Sequence, residues 1–223
     1  MRGWIIGAAA AAALAGPVRA EDIVGDWIGK VTAPGDVELT IAVHVARDGK
    51  GGYGGYAESP DQVVMKIPMT GISGTDDAFA FEAPAARAAF SGKWDAGAAA
   101  WVGTFTQNGV ELPLTLARGV VPPRPVVAGL DGDWAGVLAA PQGDLHLLLR
   151  VKTDAKGTLA LFESPDQSPM QMVAALTHVG DEVTVTLKGV GGFSGRLSAD
   201  GQTLEGQWRQ AGGSLPLTLK KGG

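Results

Sequence analysis

The chain has 223 residues, with 18 basic against 23 acidic side chains and no cysteine. That composition excludes a disulfide framework or thiolate metal site. The acidic balance leaves no basic footprint of a nucleic-acid binder and argues against docking on an anionic membrane surface. Residues 1–20 then read as a secretory signal: Arg2 is the positive start, Ile5 to Leu14 the apolar stretch, and Val18-Arg19-Ala20 a small-x-small cleavage site. Cleavage there starts the mature chain at Glu21, with 16 basic and 23 acidic residues and a charge of −7. The apolar stretch falls short of the ~20 residues needed to span a bilayer. The expected product is an exported protein, periplasmic or secreted, with no membrane span.

Past the signal, the hydrophobic pattern has period two. Val37, Leu39, Ile41, Val43 and Val45 alternate with Glu38, Thr40, Ala42, His44 and Ala46, so one face is apolar and the other wet. Turn signals such as Asp48-Gly49, Gly191-Gly192 and Asp200-Gly201 separate such runs. The first half divides into eight predicted strands, near 25–33, 37–46, 51–58, 66–73, 77–83, 87–94, 99–107 and 110–118. Short connections between them imply an antiparallel meander. Eight strands close into a small barrel, filled by side chains or holding one small ligand. Two packed sheets are the alternative. Pro113, inside the last strand on its wet face, lacks a ladder donor, so a seam is expected at that strand. Pro122, Pro123 and Pro125 make 120–128 a semi-rigid polyproline spacer.

After the spacer the same motifs return. Gly25-Asp26-Trp27-x-Gly29, Ser59-Pro60-Asp61-Gln62, Phe90-Ser91-Gly92 and Leu112-Pro113-Leu114-Thr115-Leu116 recur between Gly132 and Leu219, with Trp134, Ser164-Pro165-Asp166-Gln167, Phe193 and Pro216 in the matching places. The offset is 107 at the tryptophans and 103 from Phe90 onward, as small insertions and deletions between strands would produce. A repeat of this length is a whole domain, since units that cannot fold alone run ~20–50 residues. The predicted fold is therefore all-β: two tandem antiparallel eight-stranded meander barrels of lipocalin/avidin-like type, seamed at the last strand, over 21–119 and 129–223.

Two motifs are candidate binding features. Trp27 and Trp134 each precede by two residues a glycine on the same strand face, which leaves room for an indole to lie flat; a barrel plug and a ligand-stacking platform both fit. Ser59, Asp61 and Gln62 with preceding Glu58, and Ser164, Asp166 and Gln167 with preceding Glu163, place two carboxylates, a hydroxyl and an amide on each rim. Turn chemistry explains the tetrads, because proline fixes φ while Asp and Ser bond nearby N–H groups. A binding surface is the other reading. No catalytic constellation accompanies them: Gly192-Phe193-Ser194-Gly195 lacks the glycine of a nucleophile elbow, and His44, His146 and His178 lack partners at ligand spacing. No metal or cofactor is expected. His44 and His146 read as ordinary surface positions on the wet strand face.

The set Gly-Asp-Trp-x-Gly, Ser-Pro-Asp-Gln, Phe-Ser-Gly, Gly206-Gln207-Trp208-Arg209-Gln210-Ala211-Gly212 and Leu-Pro-Leu-Thr-Leu resembles the all-β accessory module that precedes α/β-hydrolase-fold serine hydrolases exported by bacteria. The Gly-x-Trp start also resembles lipocalins and avidins. Val63 and Ser168 stand where the accessory modules commonly have glycine. The resemblance implies a barrel module twice over, without the hydrolase domain or its activity. The expected function is thus a non-catalytic exported binding or interaction protein, one form of which partners a separate hydrolase. The alternatives are a lipocalin-like carrier of a small apolar ligand and a hydrolase using the rim carboxylates.

Overall fold

In the computed structural model, which describes residues 22–222, the apolar faces read above turn inward around two separate cores. The predicted signal segment lies outside the described residues.

The first module is built from β1 (Gly25–Ala33), β2 (Val37–Arg47), β3 (Tyr53–Glu58), β4 (Ile67–Pro68), β5 (Thr70–Gly74), β6 (Ala78–Ala83), a short 3₁₀ turn (Pro84–Ala86), β7 (Ala88–Asp95), β8 (Ala100–Gln107) and β9 (Val110–Arg118). The second comprises β10 (Gly132–Ala140), β11 (Gly143–Asp154), β12 (Gly157–Ser164), β13 (Ser168–Val179), β14 (Glu182–Leu187), β15 (Gly191–Leu197), β16 (Thr203–Gln210) and β17 (Gly213–Lys221). All neighbours are antiparallel. The second module is a closed barrel, β10 through β17 in sequence order.

The first module departs from that plan. Its strands form one nine-stranded sheet, order β4-β3-β2-β1-β9-β8-β7-β6-β5, whose ends β4 and β5 do not pair. The single strand predicted over 66–73 is two short ones. Pro68 has no N–H to give a ladder, the Met69 N–H donates to Gly55 O at 3.0 Å, and Gly71 turns the chain at φ +57. Pairing of β5 with β6 then slips between Thr70 and Ser73. In module two Val173 stands where Pro68 does, and β13 runs unbroken for 12 residues.

Closure by the last strand is short in both modules. Only Trp27↔Arg118 and Ile28↔Ala117 pair in the first, and Trp134↔Lys221 and Ala135↔Lys220 in the second. Pro113 and Pro216 pair on their other side, opposite Thr104 and Gln207. Beyond the two closing pairs the strands cross closely. A Cβ on Gly29 would lie 2.2 Å from Thr115 O, and one on Gly136 2.2 Å from Thr218 O. These glycines make room for the last strand's backbone rather than for an indole.

Trp27 and Trp134 are buried in their cores. Their indole N–H groups donate to Ile23 O (2.7 Å) and Leu130 O (2.8 Å), the partner a buried indole requires. Around Trp27, Trp101, Phe79, Phe81 and Phe90 interlock, with ring centroids 6.1 Å apart for Trp27–Trp101 and 5.7 Å for Phe79–Trp101. The second core is mostly aliphatic, with Phe162 stacked on Trp208 at 5.0 Å.

The linker does not hang free. Arg124 N–H donates to Lys156 O, Thr158 N–H to Pro125 O (3.1 Å) and Val127 N–H to the Thr158 hydroxyl (2.8 Å). Residues 124–127 thus lie against the β11–β12 hairpin, and Gly157 (φ +93) leaves the space that Arg124 O fills.

Candidate interaction surface

Both Ser-Pro-Asp-Gln turns are built the same way. The glutamine N–H donates to the serine carbonyl at 3.0 Å in each, Gln62 to Ser59 and Gln167 to Ser164. Each aspartate then reaches back to the second strand of its module. Asp61 Oδ2 accepts from Thr40 N–H (2.7 Å), and Asp166 Oδ2 accepts from His146 N–H (2.5 Å), the matching position of the other copy. The carboxylate thereby satisfies a strand-edge donor and staples the turn to the barrel wall.

Their surroundings differ. Asp61 also holds the Lys188 ammonium, 3.1 Å away, at the β14–β15 turn of module two. Lys188 donates in addition to Glu38 O (3.1 Å), and Val173 N–H donates to Gln62 O (2.8 Å). The tetrad of module one is thus the plug of an inter-module joint. Ser59 is buried and its hydroxyl donates to Gln62 Oε1 at 2.9 Å, which fixes the amide. In module two, Pro165, Asp166 and Gln167 are all exposed. Among the described residues, Asp166 is approached only by its own module, through His146 N–H and Nδ1 (3.0 Å), and Ser164 Oγ makes no hydrogen bond.

The two aspartates are acidified for related reasons. Burial pushes Asp61 up, but the Thr40 hydroxyl and N–H and the Lys188 ammonium outweigh it and hold the carboxyl below the usual carboxylate range. For Asp166 the His146 backbone N–H is the main cause of the lowering, followed by the imidazole.

Glu58 and Glu163 belong to a second duplicated arrangement on the wet face. His44 Nδ1 lies 2.5 Å from Asp26 and its Nε2 3.5 Å from Glu58, with the ring stacked on Tyr56 at 4.3 Å. At the matching position Arg150 bridges Asp133 (4.0 Å) and Glu163 (3.3 Å), and Gln171 Nε2 donates to Glu163 at 3.0 Å. A cation or imidazole between two carboxylates is thus shared by both copies. Both histidines lie on the wet face, as the pattern predicts, with His146 exposed and His44 half-buried between its two carboxylates. Period two tells which face a residue takes but not which cross-strand neighbour it meets. Among the described residues no three His, Asp or Glu side chains converge to hold a metal ion.

Of the candidate residues, the structure brings Ser59, Asp61 and Gln62 together at the joint, with Glu58 beside them paired to His44, and Glu163, Ser164, Asp166 and Gln167 at the rim of module two. Trp27 and Trp134 stand apart, 0% and 1% exposed, with Arg118 covering the first ring at 4.0 Å and Lys221 the second at 5.3 Å. Neither offers a stacking platform. Lys188 and Val173, which complete the joint, carry no motif in the sequence. Beside the joint lies an open groove of about 600 Å³, lined by Glu58, Val63 to Lys66, Pro122 to Arg124 and Asp154 to Lys156 among others.

Comparison with known proteins adds little to this geometry. No family model matches the chain, and no curated protein matches it. A solved protein of unknown function from the DUF3598 family of Nostoc punctiforme is similar over 90% of this chain and 96% of its own, at 12% identity and a TM-score of 0.27. Among the described residues no helix is long and apolar enough to cross a membrane.

Proposed function

We propose that this is a non-catalytic, exported interaction protein whose recognition surface is the rim of module two at Glu163 to Gln167. One observation carries the reading: the same turn in module one is occupied, and its occupant shows what it holds. Asp61 takes a lysine and Gln62 O takes a strand N–H, whereas Asp166 and Gln167 are exposed. Interiors filled by Trp27, Trp101 and Phe79, or by Leu149, Phe162 and Trp208, favour this over carriage of an apolar ligand. The resemblance to accessory modules of exported hydrolases makes a separately encoded hydrolase one partner to test.

The test is site-specific photo-crosslinking in the producing cell. A photoreactive residue replacing Gln167 is expected to give a discrete adduct that disappears when Asp166 is changed to Lys, whereas the same residue replacing Gln62 gives only the intramolecular product. Absence of any adduct from position 167 in correctly exported protein disproves the proposal.

A further inference from the structure

We infer that the exposed turn of module two docks a β-barrel module of this same construction on another chain, and that this protein is built to be the closed end of such a contact. The inference rests on the reading above and names the partner.

The joint inside the chain is heterologous: a turn of one module enters a socket on the next, so the two modules use different surfaces. The socket has two parts. One is the Val173 N–H, free because β13 begins to pair with β14 only at Ala175↔Thr186, and it donates to Gln62 O at 2.8 Å. The other is Lys188, the first residue after β14, which takes Asp61 at 3.1 Å. A heterologous contact between like units leaves one unused turn and one unused socket, and would propagate into a fibre if both were competent.

Here the unused socket is disabled. Register places Pro68 of module one where module two has Val173, since Tyr56↔Pro68 matches Leu161↔Val173. Proline has no N–H to donate. The pairings Phe81↔Phe90 and Val185↔Phe193 likewise put Pro84, the first residue after β6, where module two has Lys188. Both donors of the socket are thus replaced by prolines in module one. The unused turn is intact: Asp166 is stapled to the second strand as Asp61 is, and its carboxylate side chain is 39% exposed. The chain can therefore plug into a foreign socket but cannot accept a plug, and self-association stops at the monomer. The partner is recognised by a strand N–H left unpaired beside a lysine, on the wall of a barrel of this kind.

The experiment rebuilds the missing socket. A receptor variant carrying Pro68→Val and Pro84→Lys, with Asp166→Lys to remove its own plug, is mixed with the wild-type chain. Sedimentation velocity at concentrations up to about 1 mM, a range that reaches millimolar dissociation constants, is expected to show a 1:1 complex of doubled mass. Wild type alone stays monomeric. The complex is lost when the plug partner carries Asp166→Lys, and weakened at least about tenfold by Asp166→Asn, which keeps an acceptor for His146 N–H but drops the charge. Pro68 and Pro84 are exposed, and circular dichroism of the receptor variant checks that its fold is retained. No complex between folded partners, or a complex indifferent to Asp166→Lys, overturns the inference. So does wild-type chain that self-associates as strongly as the mixture. A crosslink from position 167 with no complex here leaves the interaction surface standing and removes only the barrel partner.

Discussion

Asp61 carries two loads on one carboxylate, a strand N–H of its own barrel and a lysine of the next. Its folded-state pKa lies below the ordinary carboxylate value, so the stability it contributes is fully present above that ordinary value. It is lost as pH falls through the lower folded-state value. Asp61→Asn should therefore cost about 1–2 kcal/mol at pH 7 by urea unfolding, and the difference from wild type should vanish once pH falls below the folded-state value. A difference that persists in strong acid rules out the charge as the cause. At the closing seam the test is steric. Gly29→Ala puts a methyl group against Thr115 O and should destabilise by about 1–3 kcal/mol, or roughly 2–10 °C in Tm for a chain of this size. Gly54→Ala is the control, because among the described residues nothing lies within 4 Å of its Cβ position.

Among the elements, strands with clean alternation and a turn at each end were legible from the amino acids. The ranges 25–33 and 110–118 are those of β1 and β9, because a half-buried strand must alternate and Gly or Asp-Gly must stop it. The range 66–73 was not. Ile67 and Met69 keep the period while Ile72 falls off it, and the break comes from Pro68 together with a hydrogen bond from Met69 to Gly55, a tertiary contact that no local pattern records. The expected seam at the last strand rested on the same physics applied to Pro113. Closure there is indeed only two pairs long, yet the open gap sits at β4–β5, where the other proline interrupts a strand. Site legibility divides likewise. The duplicated tetrads stood out by identity, whereas Lys188 and Val173 are single residues of ordinary type whose role arises only when two barrels meet. The linker offers an element-scale prediction. Gly157→Ala removes the space for Arg124 O, so amide exchange at Val127 and Thr158, both held by this packing, should accelerate by at least about tenfold as the segment lifts off. Unchanged exchange at both amides contradicts the docking described.

For the molecule as a whole, the joint couples two modules that each have their own core. Inter-domain contacts that are small and polar leave relative motion as the default, so the Asp61–Lys188 pair, the Val173–Gln62 bond and the docked linker decide whether the halves unfold together. Lys188→Glu sets two carboxylates face to face. Calorimetry should then resolve one transition into two, with the gapped first module melting earlier. A single unchanged transition shows that the linker alone holds the halves in step.

The difference between a barrel that closes and one that does not also bears on how the protein fails. Every strand of the second module has a neighbour on both sides, while β4 and β5 each leave one edge unpaired, and the chain enters β4 through Val64 and Met65, 58% and 55% exposed. Unfastened edges next to greasy side chains invite strand addition by a stranger. In a concentrated or partly denatured sample, clumping should begin at residues 64–74, and a lysine placed at Val64 should delay it without touching the joint.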